Sequence, residues 1–335
     1  MRRAVTAAAL LAFAAAGCST NPSATVTPGD VAATSPSSTS TIGGTGEPTV
    51  TGSPLPTATS PSTTPSPSPS PAELPGGGLR VLPQHRLVGF SGAPSSEAFG
   101  RLGVGDLDDR ARQIKRLSRD YDGDREVMPV FELSTVVALA DAGSEGLYRS
   151  QLGDDEVRKY LAAARRAGAL LLLNIQPGLS EFLPEVRAYE RWLREPDVGV
   201  ALDPEWAVEP GQVPGQTYGT TTGAELDRVS AYLAKLVRRH DLPQKVMVFH
   251  QVAASVVTQE GAIQRRPEVA VIKSVDGIGS PALKVATWRV LTRDLPPPVH
   301  AGFKLFFEED ARSGDLMTPR QVLALRPKPE YVLYE

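Results

Sequence analysis

Residues 198–206 read Val-Gly-Val-Ala-Leu-Asp-Pro-Glu-Trp. Five small or apolar residues run without a polar break and give way at once to Asp203 and Glu205. A short run that is apolar on both faces reads as a strand of a covered parallel sheet. The same shape recurs at Leu170–Gln176 upstream and Lys245–Gln251 downstream. Further out lie Arg86–Gly92, Val127–Leu133, Val269–Ser274, His300–Phe306 and Tyr331–Tyr334, which makes eight runs. Helical patterns separate most of them. Val157, Tyr160, Leu161 and Ala164 share one face, with Gly168 as a stop, and Leu226, Val229, Leu233, Leu236 and Val237 repeat the pattern. Further helix candidates cover roughly 106–119, 180–195, 280–293 and 318–325. Alternating strands and helices imply parallel pairing through right-handed crossovers. Eight strands favour a closed (β/α)8 barrel of the α/β class over an open doubly wound sheet. The eighth strand reaches the end of the sequence, so the last outer helix is expected to be missing.

The barrel sequence spans 78–335, 258 residues, a typical size for that fold. The preceding residues differ in kind. Arg2 and Arg3 precede an apolar run, Ala4 to Ala16, of signal-peptide length and too short to span a membrane as a helix. Residues 19–77 hold 25 Ser and Thr, 12 Pro and 7 Gly, with no Lys, Arg or aromatic residue. Such a stretch buries too little apolar surface to offset chain entropy, so 18–77 reads as a disordered Ser/Thr/Pro-rich stalk. The Pro-Ser repeat at 65–71 is expected to be extended.

Composition closes off several classes. The net charge of -3 argues against a binder of nucleic-acid phosphates. One Cys rules out an intrachain disulfide and a Cys-rich zinc module. There is no His-x-x-x-His pair, no Gly-x-Gly-x-x-Gly after a strand and no phosphate-binding loop motif, so no cofactor is expected.

Catalytic groups of such barrels sit at the C-terminal ends of the strands. The polar residues there are Glu132 at the second, Asn174 and Gln176 at the third, Asp203, Glu205 and Trp206 at the fourth, and His250 at the fifth. Asp276 follows the sixth, Lys304 lies in the seventh, and Glu308 follows it. Residues two apart on a strand point the same way, so Asp203 and Glu205 both face the mouth if strand geometry persists through Pro204. A close carboxylate pair raises one pKa and leaves the other group ionised. The plainer alternative has Asp203 capping the next segment and Glu205 in solvent. Other arrangements remain open. Glu205 and Glu308 can form an acid and nucleophile pair. His250 with Asp203, Glu205 and Asp276 offers a divalent-metal set, although no metal is expected. Lys304 can act as an amine nucleophile or pair with one of the acids.

Asp-x-Glu at the end of the fourth strand resembles chitinase-type glycoside hydrolases. The resemblance implies Glu205 as general acid and Asp203 as its helper in orienting the substrate. The family carries further aspartates four and seven residues before the Glu; Ala201 and Val198 stand there. Asp276 stands where the family has a strand-six tyrosine region. A broader resemblance covers about 84–335: Gly-Phe-Ser-Gly, Leu-Asn-Ile-Gln-Pro-Gly, Val-Ala-Leu-Asp-Pro-Glu-Trp, Pro-Gly-Gln-Val and Gly-Phe-Lys-Leu-Phe-Phe-Glu-Glu-Asp are similar to an uncharacterised domain of actinobacterial secreted proteins and lipoproteins. That implies an extracellular barrel and no particular activity. Ala15-Ala16-Gly17-Cys18 resembles a lipobox, with Ala15 in place of the usual Leu. It implies a signal peptide over 1–17 and lipid on Cys18, anchoring the chain to the outer face of the cell membrane. The expected partner is a polysaccharide or cell-wall glycan, bound and hydrolysed through Glu205 and Asp203 and contacted by Glu132, Asn174, Gln176, Trp206, His250, Asp276, Lys304 and Glu308. The rival expectation is a non-catalytic envelope protein that binds glycan or a protein partner.

Overall fold

The eight apolar runs form eight strands: β1 (His85–Gly92), β2 (Glu126–Ala138), β3 (Leu170–Ile175), β4 (Val198–Leu202), β5 (Lys245–Gln251), β6 (Val269–Val275), β7 (Val299–Leu305) and β8 (Tyr331–Tyr334). The computed structural model describes residues 72–335; the expected signal peptide, Cys18 and the stalk up to residue 71 lie outside the described residues. Each strand pairs in parallel with the next, and β8 pairs with β1, so the sheet closes into a barrel. Helices α1 (Leu107–Arg119), α2 (Asp154–Ala167), α3 (Phe182–Ala188), α4 (Glu190–Leu193), α5 (Gly223–His240), α6 (Pro281–Leu291) and α7 (Pro319–Leu323) occupy the connections. The pattern 180–195, expected as one helix, is two short ones meeting at Tyr189. Among the described residues no helix is long and apolar enough to cross a membrane.

The barrel separates two apolar layers by strand alternation. Val88, Phe131, Leu171, Val200, Met247 and Val271 point outward into a large core shared with the helices. Leu87, Val130, Leu172, Ala201, Val248, Ile272 and Leu333 point inward and fill the barrel's own core. Two inward glycines make room for bulkier neighbours. A Cβ on Gly199 would meet the Val246 carbonyl oxygen at 2.5 Å, and one on Gly302 would meet the Tyr331 ring at 3.0 Å.

The N-terminal end of the barrel is closed by chain that precedes β1. Leu74, Val81 and Leu82 are buried in the same core as the inward residues. The Gln244 side-chain carbonyl accepts from Val81 N at 3.0 Å and Leu82 N at 3.2 Å. Residues 72–77, assigned to the stalk by composition, therefore include a core side chain. One buried leucine is enough to order a turn here, with Gly77 N donating to Leu74 O.

Two connections depart from the regular unit. β2 continues beyond Leu133 through a β-branched stretch, with a register shift between Ser134 and Val136, and pairs antiparallel with residues 149–151. The link between β5 and β6 carries no α-helix, only a short strand at 257–258 and a 3-10 turn at 260–262. A cavity of about 560 Å³ fills that flank, lined by Gln251, Glu260, Lys273, Leu291 and Pro296 among others.

Candidate functional site

The inward register that carries Leu87, Val130, Leu172, Ala201, Val248, Ile272 and Leu333 continues toward the C-terminal mouth, by one step on most strands and by two on β1, past Gly89. There it reaches Ser91, Glu132, Asn174, Asp203, His250, Ser274 and Glu335, and Lys304 stands on β7 at the same level. Strand pairing keeps them adjacent: Ser91 lies opposite Glu132, and His250 opposite Ser274. Each of the eight strands, or the residue directly after it, thus delivers a polar side chain to one end of the barrel interior, which accounts for how distant sequence positions meet.

His250 is the hub. It is wholly buried, its Nδ1 is 2.7 Å from Asp276 Oδ2, and its Nε2 is 3.0 Å from Glu132 Oε1 and 3.7 Å from Asp203 Oδ1. Asn174 Nδ2 donates to Glu132 Oε1 at 3.1 Å, and the Tyr331 hydroxyl donates to Glu132 Oε2. Ser274 Oγ donates to Asp276 Oδ1 at 2.7 Å. Gln176 accepts from Ala138 N and donates to Asp203 Oδ2 at 3.2 Å. Lys304 Nζ pairs with Asp276 at 3.3 Å and Glu335 at 2.7 Å, so it is a paired cation.

Burial and partners set the charges. Burial pushes His250 down, but Asp276, Glu132 and Asp203 outweigh it and hold the imidazolium well above its ordinary range. Burial likewise disfavours the Lys304 cation, and Glu335, Asp276 and Asp203 reverse that. Glu132 and Asp276 experience the same burial, yet the two cations and their hydrogen bonds bring both below the usual carboxylate range. Four ionised groups therefore balance one another, two positive and two negative. The remaining acids are not balanced. Asp203 is raised by burial, only partly offset by His250 and Lys304, and Glu335 is raised by burial despite Lys304. Glu205 is raised to about 8, by burial first and then by the charges of Asp203 and Asp276. A carboxyl with that pKa is largely protonated near neutral pH.

Glu205 arrives by a different route from the expected one. The chain does not continue as a strand through Pro204; Pro204–Trp206 is a 3-10 turn, so strand alternation does not set the direction of Glu205. Asp203 stands at the N-terminal cap of that turn, but its side chain makes no capping bond. Glu205 and Trp206 are partly exposed, at the rim of the buried cluster, and the backbone of Glu205 is held by Gly219 N at 2.7 Å. Buried polar atoms left without a hydrogen-bond partner include Asn174 Oδ1, Asp203 Oδ1 and Glu205 Oε2.

Of the sequence-derived residues, Glu132, Asn174, Gln176, Asp203, His250, Asp276 and Lys304 come together in this network. Glu132 and His250 are fully enclosed and touch other members of the cluster rather than solvent. Glu308 is not brought to it: its side chain is 80% exposed and pairs with Arg312 at 3.4 Å, because the chain turns away after β7. The proposed pairing of Glu205 with Glu308 therefore lacks a basis in this arrangement. Tyr331 and Glu335 were missed, although their odd-numbered spacing with Leu333 on β8 is the signal for an inward face. Both ring nitrogens of His250 face carboxylates, and among the described residues no group of three or more His, Cys, Asp or Glu is placed to hold a metal ion. The mouth is also distinct from the 560 Å³ cavity, which lies on the barrel flank beside the outward-facing Lys273.

No protein-family model matches the chain, and no curated protein matches it. The likeness to chitinase-type enzymes rests on Asp203 and Glu205 alone.

Proposed function

We propose that the barrel binds and hydrolyses a glycan at its C-terminal mouth, with Glu205 as general acid. The observation that carries this reading is a buried carboxyl on a partly exposed residue, its Oε2 without a partner and its pKa raised to about 8 beside an ionised cluster. A general acid needs that combination: a proton retained near neutral pH and a free direction in which to deliver it. Glu205 gives its proton to the glycosidic oxygen as the bond to the anomeric carbon breaks, and water completes a new reducing end. Asp203 keeps the Glu205 pKa high and faces the sugar, while Trp206 offers an indole face at the rim. His250, Glu132, Asn174 and Tyr331 act behind them as positioning residues. On this reading the chain is a lipoprotein held through Cys18 on the outer face of the membrane, with the Ser/Thr/Pro-rich segment as spacer and an envelope or extracellular polysaccharide as partner.

A second reading, a non-catalytic envelope protein that binds glycan or a protein, draws support from the burial of Glu132, His250 and Asp276 in mutual ion pairs. Buried networks of this kind can serve specificity of fold instead of chemistry. The test incubates the full chain and its Glu205→Gln variant with envelope and environmental polysaccharides and counts new reducing ends. Turnover in the wild type that is lost in a folded variant supports the hydrolase. Absence of turnover in both leaves the binding reading.

A further inference from the structure

A second buried ion pair stands beside the mouth, outside the network around His250. Lys284 on α6 pairs with Asp310, in the loop after β7, at 2.9 Å, and neither side chain reaches solvent. Asp310 Oδ1 accepts from Gly279 N at 2.9 Å, and Oδ2 accepts from Phe306 N at 3.0 Å. Lys284 Nζ also donates to the Gly277 carbonyl oxygen. The pair thus ties the loop after β6 to the loop after β7. Both loops start next to members of the network: Gly277 follows Asp276, and Phe306 stands two residues beyond Lys304. The Phe306 ring completes the link, its centroid 5.0 Å from Lys304 Nζ and 5.2 Å from Lys284 Nζ. A desolvated cation is attracted to an aromatic face. The sheet stops short of this region. The last paired residues of β5 and β6 are Gln251 and Val275, and Asp276 N donates to Gln251 O as the final rung. Beyond it, Lys284 and Asp310 hold the chain.

Resting on the mouth described for the glycan reading but not on hydrolysis, we propose that Lys284 and Asp310 are positioning residues, a brace that holds Asp276 and Lys304 against His250. Three carboxylates face the imidazole: Glu132 from β2, Asp203 after β4 and Asp276 after β6. Asp276 makes the closest of these contacts, at 2.7 Å, and it also pairs with Lys304 at 3.3 Å. It is the member of the network that adjoins the braced loop, and its charge is one of those that keep the proton on Glu205. Charge and position predict opposite signs when Lys284 is lost. Lys284→Met removes a cation and leaves the Asp310 carboxylate unpaired. By charge alone, both changes favour the imidazolium and raise the pKa of His250. If the pair is a brace, the same substitution lets Asp276 draw back from His250, and the pKa falls.

The test follows the four histidines of the full chain by NMR with labelled histidine as pH is raised. His250 is assigned as the resonance that survives in His85→Gln, His240→Gln and His300→Gln. In Lys284→Met the ring is expected to lose its proton at least about one pH unit lower than in the wild type, the shift that one opposite charge at contact distance supplies. Gly277→Ala disturbs the same loop with no change of charge. A Cβ there would meet Thr287 Cγ2 of α6 at 3.0 Å, which pushes the loop off the helix. It should move the His250 titration the same way, and it decides the matter if the thermal melt shows that Lys284→Met does not fold. An unchanged or raised titration overturns the proposal even where the melt is lowered, because the pair then supports the fold without positioning the mouth. Reducing ends are counted in the same samples. A lowered titration with no turnover in the wild type leaves the brace standing and removes the hydrolase. Turnover with an unmoved titration does the reverse.

Discussion

The two ends of the barrel interior use one inward register for opposite purposes. Toward the N-terminal end it holds Leu87, Met128, Leu170, Val246 and Ala270, plugged by Leu74, Val81 and Leu82. Toward the C-terminal end the same alternation holds Glu132, Asn174, Asp203, His250 and Glu335, with Lys304 beside them. An apolar layer gains from removal of water whatever its detailed neighbours. A buried charged layer is favourable only when every partner is present, and a buried pair that loses one member destabilises strongly. The bottom therefore tolerates exchange among apolar residues, whereas the mouth is specified residue by residue.

The largest expected effect follows from the proposed hydrolysis and leaves the fold intact. Glu205→Gln should lower turnover of a cleaved glycan by ~10²–10⁴, the usual contribution of a general acid. The fold should survive, with a melting temperature near neutral pH no lower than the wild type's, because the glutamine has no buried proton to lose where the Glu205 carboxyl does. Retained turnover would falsify the assignment of Glu205. His250→Leu tests the layer below. It leaves Glu132 and Asp276 buried without their imidazolium partner, at a cost of roughly 3–5 kcal/mol in urea unfolding. Leu172→Ala, a step lower in the channel, should cost about 2–5 kcal/mol by cavity formation, and Leu172→Met less than about 1.5 kcal/mol. If His250→Leu proves as mild as Leu172→Met, the charged layer does not depend on its hub.

The barrel was legible because its strands are short, apolar on both faces and evenly interrupted by Gly168, by helical faces and by polar strand ends. All eight runs match observed strands to within a residue or two, apart from the far end of β2, where β-branched residues extend it. The network at the mouth was legible where a polar residue directly follows an apolar run, as at Asn174, Asp203 and His250. It was missed at the last strand: Tyr331 in β8 and Glu335 directly after it share the odd-numbered face of Leu333, and that face meets the other polar groups once closure puts β8 beside β1. Pro204 brings Glu205 beside the cluster by a route other than the expected one. Alternation placed Glu205 at the mouth, whereas the 3-10 turn does so. The buried Leu74 was hidden by its composition, because one apolar residue in a Pro- and Gly-rich stretch gives no periodicity.

Titration offers a smaller contrast between the two ends. Glu205 is raised from 4.5 to about 8, so the folded chain keeps a proton that the unfolded chain releases. Its contribution makes the fold less stable as pH rises across that window. Lys245 lies at the start of β5, buried, donating to the carbonyls of Glu195 and Val198. Burial, partly offset by Asp197 and Glu195, lowers it from 10.5 to about 7, so the folded chain releases a proton that the unfolded chain keeps. Stability from Lys245 therefore rises with pH between those values. Melting curves across pH should lose the first slope in Glu205→Gln and the second in Lys245→Met. Unchanged slopes in both variants would remove the contrast.

The smallest expected effect concerns the acidic run Glu308-Glu309-Asp310, which in sequence looks as functional as Asp203-Pro204-Glu205. Only Asp310 is buried, accepting from Gly279 N at 2.9 Å and Phe306 N at 3.0 Å and pairing with Lys284 at 2.9 Å. Glu308 points to solvent and meets Arg312 one helical turn later, an arrangement that contributes little. Glu308→Ala should therefore stay within about 0.5 kcal/mol of the wild type in urea unfolding, with turnover unchanged. Asp310→Ala should destabilise by several times as much, because Lys284 is then buried without its carboxylate. A loss of turnover in Glu308→Ala would bring the run after β7 back to the mouth, and with it the acid and nucleophile pairing that this structure leaves apart.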